Sequence, residues 1–135
     1  MHLMREFGEM WARNSENIED ENIPGRNKGG QGVYILYEGS TPVYIGKGNI
    51  RQRLRGADES ARRGSSWNYF SWYVIKDKSL IHDVEVLLLR MLPPHLRRLN
   101  RQRGHFRGVH STDPNPKHNV PKQIDYPRLM KRLNK

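Results

Sequence analysis

Two short apolar segments joined by a polar turn constrain the fold of this chain more than any other feature. Residues 32–37 read GVYILY and residues 41–46 read TPVYIG, and both are rich in the β-branched and aromatic residues that favour strands. Residues 38–40, EGS, have the composition of a turn. We therefore predict an antiparallel hairpin. If the turn comprises these three residues, Tyr34 faces Tyr44 directly on one face of the sheet, whereas a four-residue turn would place them on opposite faces.

The remaining elements predicted from the sequence are helices and one further strand. Asn49 is a suitable N-cap for a helix that continues to about residue 63, with apolar residues at helical spacing. Residues 69–76 form a third strand, and Ser79 caps a second helix over residues 80–92, which two prolines terminate. Before the hairpin, residues 3–13 suit a short amphipathic helix and residues 14–31 a linker. From residue 32 onward the predicted order is β-β-α-β-α.

Composition and charge limit the class of partner. The chain of 135 residues suits one domain, has no cysteine for disulfides or thiolate metal sites, and has no apolar run long enough to span a membrane. Its N-terminus lacks the apolar core of a signal peptide, so we expect a cytoplasmic protein. The net charge is +10, and residues 96–135 carry eleven Lys and Arg against two Asp. This excess of positive charge favours a polyanion such as nucleic acid as the binding partner. A basic surface that is merely solvated would have the same composition.

Three features of the apolar segments are not explained by packing alone. Glu85 belongs to the apolar face of the second predicted helix, where a buried carboxylate is costly unless it is paired or binds a cation. It is either a border residue paired with an arginine or a ligand for a hard divalent cation. Arg53 flanks the apolar stripe of the first helix and is either a surface residue or a phosphate ligand. Tyr34 and Tyr44 are either functional or simply two aromatic residues of a sheet.

The order and spacing of these residues resemble a known family. Residues 32–34 (GVY), followed after nine residues by residues 44–46 (YIG), are similar to the paired signature of the GIY-YIG nuclease superfamily. In that family an arginine follows on the next helix, a glutamate lies on a later helix, and an asparagine comes last. The matching residues of this chain are Arg53, Glu85 and Asn100. The resemblance covers about residues 32–100, and it implies an α+β fold with a small three-stranded antiparallel sheet flanked by helices (β-β-α-β-α).

The resemblance also implies an activity, the hydrolysis of DNA phosphodiester bonds by an endonuclease with one divalent cation, Mg²⁺ or Mn²⁺. Glu85 would hold the ion, which stabilises charge on the phosphate and its leaving oxygen. Arg53 would bind a phosphate oxygen, Tyr34 would accept a proton from the attacking water, and Tyr44 would orient the water or Tyr34. Because a free tyrosine has a pKa near ~10, its surroundings must lower that value before it can act as a base. Asn100 would shape the site.

The sequence departs from the family at one position. Several members carry a histidine one helical turn after the arginine, and this chain has Ala57 there. Lys47, in the GKG that follows the second motif, would supply the missing positive charge; otherwise it is a phosphate contact or a solvated lysine. His82, one turn before Glu85, is a second candidate, or simply a histidine at the start of a helix. The departure concerns the activation of Tyr34 rather than the class of reaction.

The flanking segments complete the predicted domain organisation. We divide the chain into residues 1–31 (N-terminal helix and linker), 32–100 (GIY-YIG-like nuclease domain) and 101–135 (basic C-terminal tail). Residues 97–108, RRLNRQRGHFRG, interleave arginine with a histidine and a phenylalanine, which suits backbone binding with some stacking. The histidines further along the tail are weak evidence for zinc in a chain without cysteine. The arginines expected to contact nucleic acid are Arg51, Arg55, Arg97, Arg98, Arg101, Arg103 and Arg107.

Two functions remain open on the sequence alone, an endonuclease and a non-catalytic nucleic-acid-binding module on the same scaffold. The joint presence of both tyrosines, Arg53, Glu85 and Asn100 favours the endonuclease, because a module that only binds has no need of the whole set. Most family members add a recognition domain, for which this chain has little room. Specificity would therefore come from the tail, a homodimer or a recognition partner.

Overall fold

An antiparallel β-sheet is the centre of the structure. The computed structural model describes residues 2–25, 29–60 and 67–92. Its helices are α1 (Ser15–Ile18), α2 (Ile50–Glu59) and α3 (Ile81–Met91), with a 3₁₀ turn over Lys78–Leu80. Its strands are β1 (Met4–Ala12), β2 (Gln31–Glu38), β3 (Thr41–Asn49) and β4 (Tyr69–Ile75), in the spatial order β1-β4-β2-β3, with every pairing antiparallel. The α+β class, an antiparallel sheet flanked by helices, is thus confirmed.

The N-terminal segment differs from the expected helix. Residues 4–12 form strand β1 and pair with β4, so the described sheet has four strands instead of three. Phe7 stacks on Tyr73, and Trp11 packs edge-on against Trp72. Gly8 lies so close to the Trp72 indole that a Cβ there would be 2.4 Å from Nε1. Aromatic contacts with a strand far along the chain therefore outweigh the local helical spacing.

The expected linker, residues 14–31, contributes to the core in its described part. Asn14 Oδ1 accepts a hydrogen bond from the Asn17 N–H at 2.8 Å and begins α1. Ile18 and Ile23 are buried in the cluster beneath α2. Single isoleucines in a polar segment give no periodic signal, so the sequence did not reveal this packing.

The hairpin between β2 and β3 has a shorter turn than predicted. Glu38 pairs with Thr41, so the turn contains two residues, of which Gly39 adopts a φ of +61°. The shorter turn is offset by a β-bulge, because Val43 is an extra residue in β3 with no counterpart in β2.

This bulge decides which face of the sheet Tyr44 occupies. Tyr34 lies opposite Gly46, and Tyr44 lies opposite Leu36, so the predicted direct pairing of the two tyrosines is wrong. Tyr34 and Leu36 share a face because side chains alternate along a strand, and Tyr44 therefore shares it too. The two tyrosines thus share a face, which was one of the two arrangements that the sequence left open, although a two-residue turn without the bulge would have placed Tyr44 on the other face.

Helix α2 begins where the sequence predicted, whereas α3 is preceded by a different cap. Asn49 Oδ1 accepts a hydrogen bond from the Gln52 N–H at 3.0 Å, and α2 ends at Glu59, a few residues early. Before α3, Asp77 rather than Ser79 is the capping residue. Its Oδ1 accepts hydrogen bonds from the Ser79 hydroxyl at 2.6 Å and the Ser79 N–H at 3.0 Å, and these lower the pKa of Asp77.

The helices α2 and α3 cover opposite faces of the sheet. Tyr34 and Leu36 pack with residues of α2 in one buried cluster. Val33 packs with Ile81 of α3 in a second cluster on the other face. Strand β3, at the edge of the sheet, contacts both helices. None of the helices in the described ranges has the length and apolar composition that a membrane crossing requires.

Candidate functional site

The predicted tyrosine pair lies on the face of the sheet that α2 covers. The ring centroids of Tyr34 and Tyr44 are 5.8 Å apart, with an interplanar angle of 36°. Tyr34 is only 2% exposed, and its hydroxyl end lies over Gly46. A Cβ at Gly46 would be 2.5 Å from the Tyr34 Oη, so only glycine leaves room for the ring in this orientation. The structure therefore brings the two tyrosines together as a diagonal pair.

Arg53 lies beside the same strand. A Cβ at Gly48 would be 2.8 Å from Arg53 Nε, and the φ of Gly48 is +128°, a conformation that residues with side chains rarely adopt. Arg53 is exposed, and no hydrogen bond or ion pair ties its guanidinium to another described residue. An exposed guanidinium without such a partner is available to a phosphate.

The two neighbouring arginines of α2 have intramolecular partners. Arg51 donates to the backbone carbonyls of Asp20 at 2.8 Å and Ile23 at 3.1 Å. Arg55 forms an ion pair with Glu19, in which Nε donates to Oε1 at 2.8 Å. The hydrogen bond with Arg55 lowers the pKa of Glu19 and raises that of Arg55. Both arginines thus connect α2 to the preceding segment, and their contact with nucleic acid stays a prediction.

Glu85 is the buried carboxylate that the sequence predicted. It lies on α3 and is 5% exposed. Its Oε1 receives no hydrogen bond within the described residues. Its charged neighbour is Lys47, whose Nζ lies 3.4 Å from Oε1. The neighbour proves to be a lysine of β3, not the arginine considered from the sequence. The ion pair with Lys47 offsets part of the cost of burying this carboxylate, and a metal cation bound to the same oxygen would offset more of it.

Lys47 connects Glu85 with a third polar residue. Its Nζ donates a hydrogen bond to His82 Nδ1 at 2.7 Å. His82 and Glu85 are three residues apart on α3, so their side chains lie on the same face of the helix. Ala57, at the position of the family's histidine, is 1% exposed and packs in the core. The positive charge beside Glu85 therefore comes from Lys47 of β3.

The predicted residues meet around one short stretch of β3, but from two sides. Tyr34 lies against Gly46 and Arg53 against Gly48, on the face that α2 covers. Lys47, between the two glycines, pairs with Val33 and reaches α3 on the other face. Consecutive Cα atoms are only ~3.8 Å apart, so both groups of side chains adjoin the same three residues. The candidate site thus includes side chains from both faces of the sheet, which meet at its edge strand β3.

A divalent cation fits the donor set at Glu85. The described residues contain no group of three or more His, Cys, Asp and Glu side chains that could hold a metal ion. Mg²⁺ does not need such a group, because it is commonly bound through one or two carboxylates and completes its shell with water and phosphate oxygens. The buried Glu85 Oε1, which lacks a hydrogen bond, is the atom that would bind the ion.

Several predicted site residues lie outside the described residues. Asn100 is one of them. The others are the arginines expected to contact nucleic acid beyond α3, namely Arg97, Arg98, Arg101, Arg103 and Arg107. The roles of Gly46 and Gly48 were not predicted from the sequence, although their presence on either side of Lys47 was a usable signal. The contact between Lys47 and His82, which are 35 residues apart, was not predicted either.

The helices and strands define the class of structure, an α+β fold with helices on both faces of an antiparallel sheet.

No protein-family model matches the sequence, and no curated protein sequence matches it. Among solved structures, the chain is similar to the GIY-YIG N-terminal endonuclease domain of UvrC from Thermotoga maritima. The identity is 22%, the match covers 62% of this chain and 99% of that one, and the TM-score is 0.49. That domain is bound to its catalytic divalent cation, magnesium. The similarity to that domain concerns the fold alone.

Proposed function

We propose that this protein is a metal-dependent endonuclease that hydrolyses phosphodiester bonds in DNA. The observation that carries the proposal is Glu85, a carboxylate that is 5% exposed and has an Oε1 without a hydrogen bond in the described structure. Structural carboxylates in such surroundings are normally paired through hydrogen bonds. An oxygen left without one is suited to a hard cation, and the motifs around it resemble those of the GIY-YIG nucleases.

Each residue of the site has a role in this proposal. Glu85 would hold Mg²⁺ or Mn²⁺, which when bound stabilises the charge that develops on the phosphate and the leaving oxygen. Arg53 binds a non-bridging phosphate oxygen through its exposed guanidinium. Tyr34 accepts a proton from the attacking water, and Tyr44 orients that water or the Tyr34 hydroxyl. Lys47 supplies positive charge, and Asn100 shapes the site.

The edge of β3 is where a phosphodiester would contact both groups of side chains. Gly46 and Gly48 leave room beside this strand for Tyr34 and Arg53, and Lys47 between them points toward Glu85. A backbone phosphate placed along the edge would meet Arg53 from one face and the cation at Glu85 from the other. DNA is the substrate that the net charge of +10 favours, and the cytoplasm is the expected location.

One observation favours the alternative, a nucleic-acid-binding module without catalysis. Tyr34 is 2% exposed and packs in the core under α2, and Glu85 lies toward the other face. A buried tyrosine suits a packing role, and a module that only binds would need Arg53 and the basic tail but not Glu85. The two functions therefore differ in whether Glu85 matters.

Cleavage with and without metal tests the proposal. Plasmid, branched and single-stranded DNA are incubated with the protein in Mg²⁺, Mn²⁺ or a chelator, alongside Glu85→Gln, which keeps the shape of the side chain. We expect cleavage by the wild type only with metal and none by Glu85→Gln, with unchanged circular dichroism. Asp83→Asn, an exposed carboxylate on the same helix, is the matched control and should cleave normally. DNA binding without cleavage under every metal condition would support the module instead.

A further inference from the structure

The two contacts of Lys47 are unequal. Its Nζ lies at a full hydrogen-bond distance of 2.7 Å from His82 Nδ1, but 3.4 Å from Glu85 Oε1, which receives no hydrogen bond in the described structure. Opposite charges attract each other strongly in a partly buried place. The ammonium nevertheless lies closer to the imidazole nitrogen than to the carboxylate oxygen, which it contacts as an ion pair without a hydrogen bond.

The hydrogen bond also fixes the state of the imidazole. An ammonium group only donates hydrogen bonds, so His82 Nδ1 must be the acceptor, and the neutral ring carries its proton on Nε2. Nε2 is buried and has no hydrogen-bond partner among the described residues. The acceptor nitrogen of His82 is therefore occupied by Lys47. Because His82 and Glu85 are three residues apart on α3, Glu85 lies beside His82 on the same face of the helix.

We propose that His82 is a positioning residue that holds the Lys47 ammonium away from Glu85 and so keeps Oε1 open to a divalent cation. This inference rests on the proposed function, in which Glu85 binds that cation. Without the imidazole acceptor, Lys47 Nζ closes from its present 3.4 Å onto Oε1 and donates a hydrogen bond to it. The lysine then competes with the divalent cation for the same oxygen, and metal binding weakens.

A double-mutant cycle on metal affinity tests the proposal without DNA and without turnover. Binding of Mn²⁺ alone to the full chain is measured by calorimetry and by the electron paramagnetic resonance of the free ion. The variants are His82→Leu, Lys47→Met and the two combined, with Glu85→Gln to identify the site. We expect His82→Leu to weaken Mn²⁺ binding by about 10-fold or more, the usual effect of removing an outer-sphere partner. Substitution of His82 should have little effect once Lys47 is methionine.

A conservative variant and a spectroscopic measurement separate positioning from packing. His82→Gln keeps an acceptor and should bind Mn²⁺ nearly as the wild type does. In metal-free protein, the ¹⁵N resonances of the His82 ring should show the proton on Nε2, and Lys47→Met should weaken that preference. This comparison needs no substitution of His82, so it decides the matter even if His82→Leu does not fold.

The results that overturn the inference differ from those that overturn the proposed function. An equal drop in affinity from His82→Leu with and without Lys47, or a wild-type ring protonated on Nδ1, would show that His82 does not act through Lys47. If Glu85→Gln still abolishes Mn²⁺ binding in that case, the assignment of the cation to Glu85 stands. Mn²⁺ binding that is independent of Glu85 would remove the proposed metal site and the inference together.

Discussion

Two glycines shape the candidate site as much as its polar side chains do. The Tyr34 ring occupies the space where a Gly46 side chain would be, and Arg53 occupies the space beside Gly48. The Tyr34 ring and the Arg53 guanidinium can therefore take these positions only because Gly46 and Gly48 of the edge strand have no Cβ atoms. The sequence showed the glycines as part of a motif, but their physical purpose, close approach of a ring and a guanidinium, became evident only from the packing.

Removing the hydroxyl of Tyr34 distinguishes a catalytic role of this residue from a structural one. Tyr34→Phe removes one oxygen and retains the ring, so packing over Gly46 should persist. If the hydroxyl takes the proton from water, single-turnover cleavage should slow by roughly 10²-fold or more, as for other positioned proton-transfer groups. DNA affinity should hardly change, because phosphate contacts dominate binding.

The matched control for this variant is Tyr37→Phe, a tyrosine of the same strand that pairs with Tyr69 and lies outside the site. Its cleavage rate should equal that of the wild type. A Tyr34→Phe rate within a few-fold of the wild type would assign Tyr34 to the core and direct attention to Tyr44 or Lys47.

At the scale of elements, the sequence predicted those features of the helices and strands that are determined by neighbouring residues. The hairpin, the Asn49 cap of α2 and the end of α3 before Pro93 depend on residues close together in the chain. Strand β1 could not be predicted in this way, because what stabilises it is the packing of Phe7 and Trp11 on residues of β4. Tertiary contacts of this kind override local propensity.

The pairing of β1 with β4 should make the fold sensitive to alkaline pH through Tyr73. Burial, followed by the negative charge of Glu9, raises the pKa of Tyr73 to about 12, and its hydroxyl donates to Glu9 Oε1 at 3.3 Å. In the unfolded chain tyrosine ionises near ~10. Because the folded pKa is the higher one, the contribution of Tyr73 to stability is complete below ~10 and is lost as the pH rises toward the folded value.

Urea unfolding across this alkaline range measures the effect. The unfolding midpoint of the wild type should fall more steeply with pH than that of Tyr73→Phe, which has no hydroxyl to ionise. Absorbance of tyrosinate near 295 nm, compared between the two proteins, follows the ionisation itself. Parallel stability profiles of the two proteins would contradict the assigned pKa.

At the scale of the whole molecule, the residues of the candidate site could be predicted from the sequence, but their arrangement in space could not. Tyr34, Arg53 and Glu85 were identified from motif order. Their distribution over both faces of the sheet edge was not, because it depends on how α2 and α3 cover the sheet. The hydrogen bond between Lys47 and His82 joins distant parts of the chain and has no local signature.

The basic tail is expected to set the strength of DNA binding. Replacing Arg101, Arg103 and Arg107 together with glutamine should weaken binding and reduce the slope of log affinity against log salt. The reduction should be about 0.9 for each duplex phosphate that the variant no longer neutralises. Cleavage at saturating protein should be unaffected, because these arginines have no role in the proposed chemistry. Filter binding or fluorescence anisotropy over a salt series gives the slope.

The control for this change is Lys76→Gln with Lys78→Gln, two exposed lysines after β4 that are not assigned to DNA. This variant should retain the wild-type slope. An unchanged slope in the tail variant would mean that Arg101, Arg103 and Arg107 do not contact DNA phosphates.

The bulge at Val43 has a consequence for how related chains are recognised. Because Val43 has no partner in β2, a chain could lack this one residue and still keep Tyr44 opposite Leu36, on the side that Tyr34 occupies. Evolution could therefore shorten the interval between the two motifs without changing the geometry of their tyrosines. A search that demands a fixed interval would miss such relatives, whereas one that follows the register of the paired strands would find them.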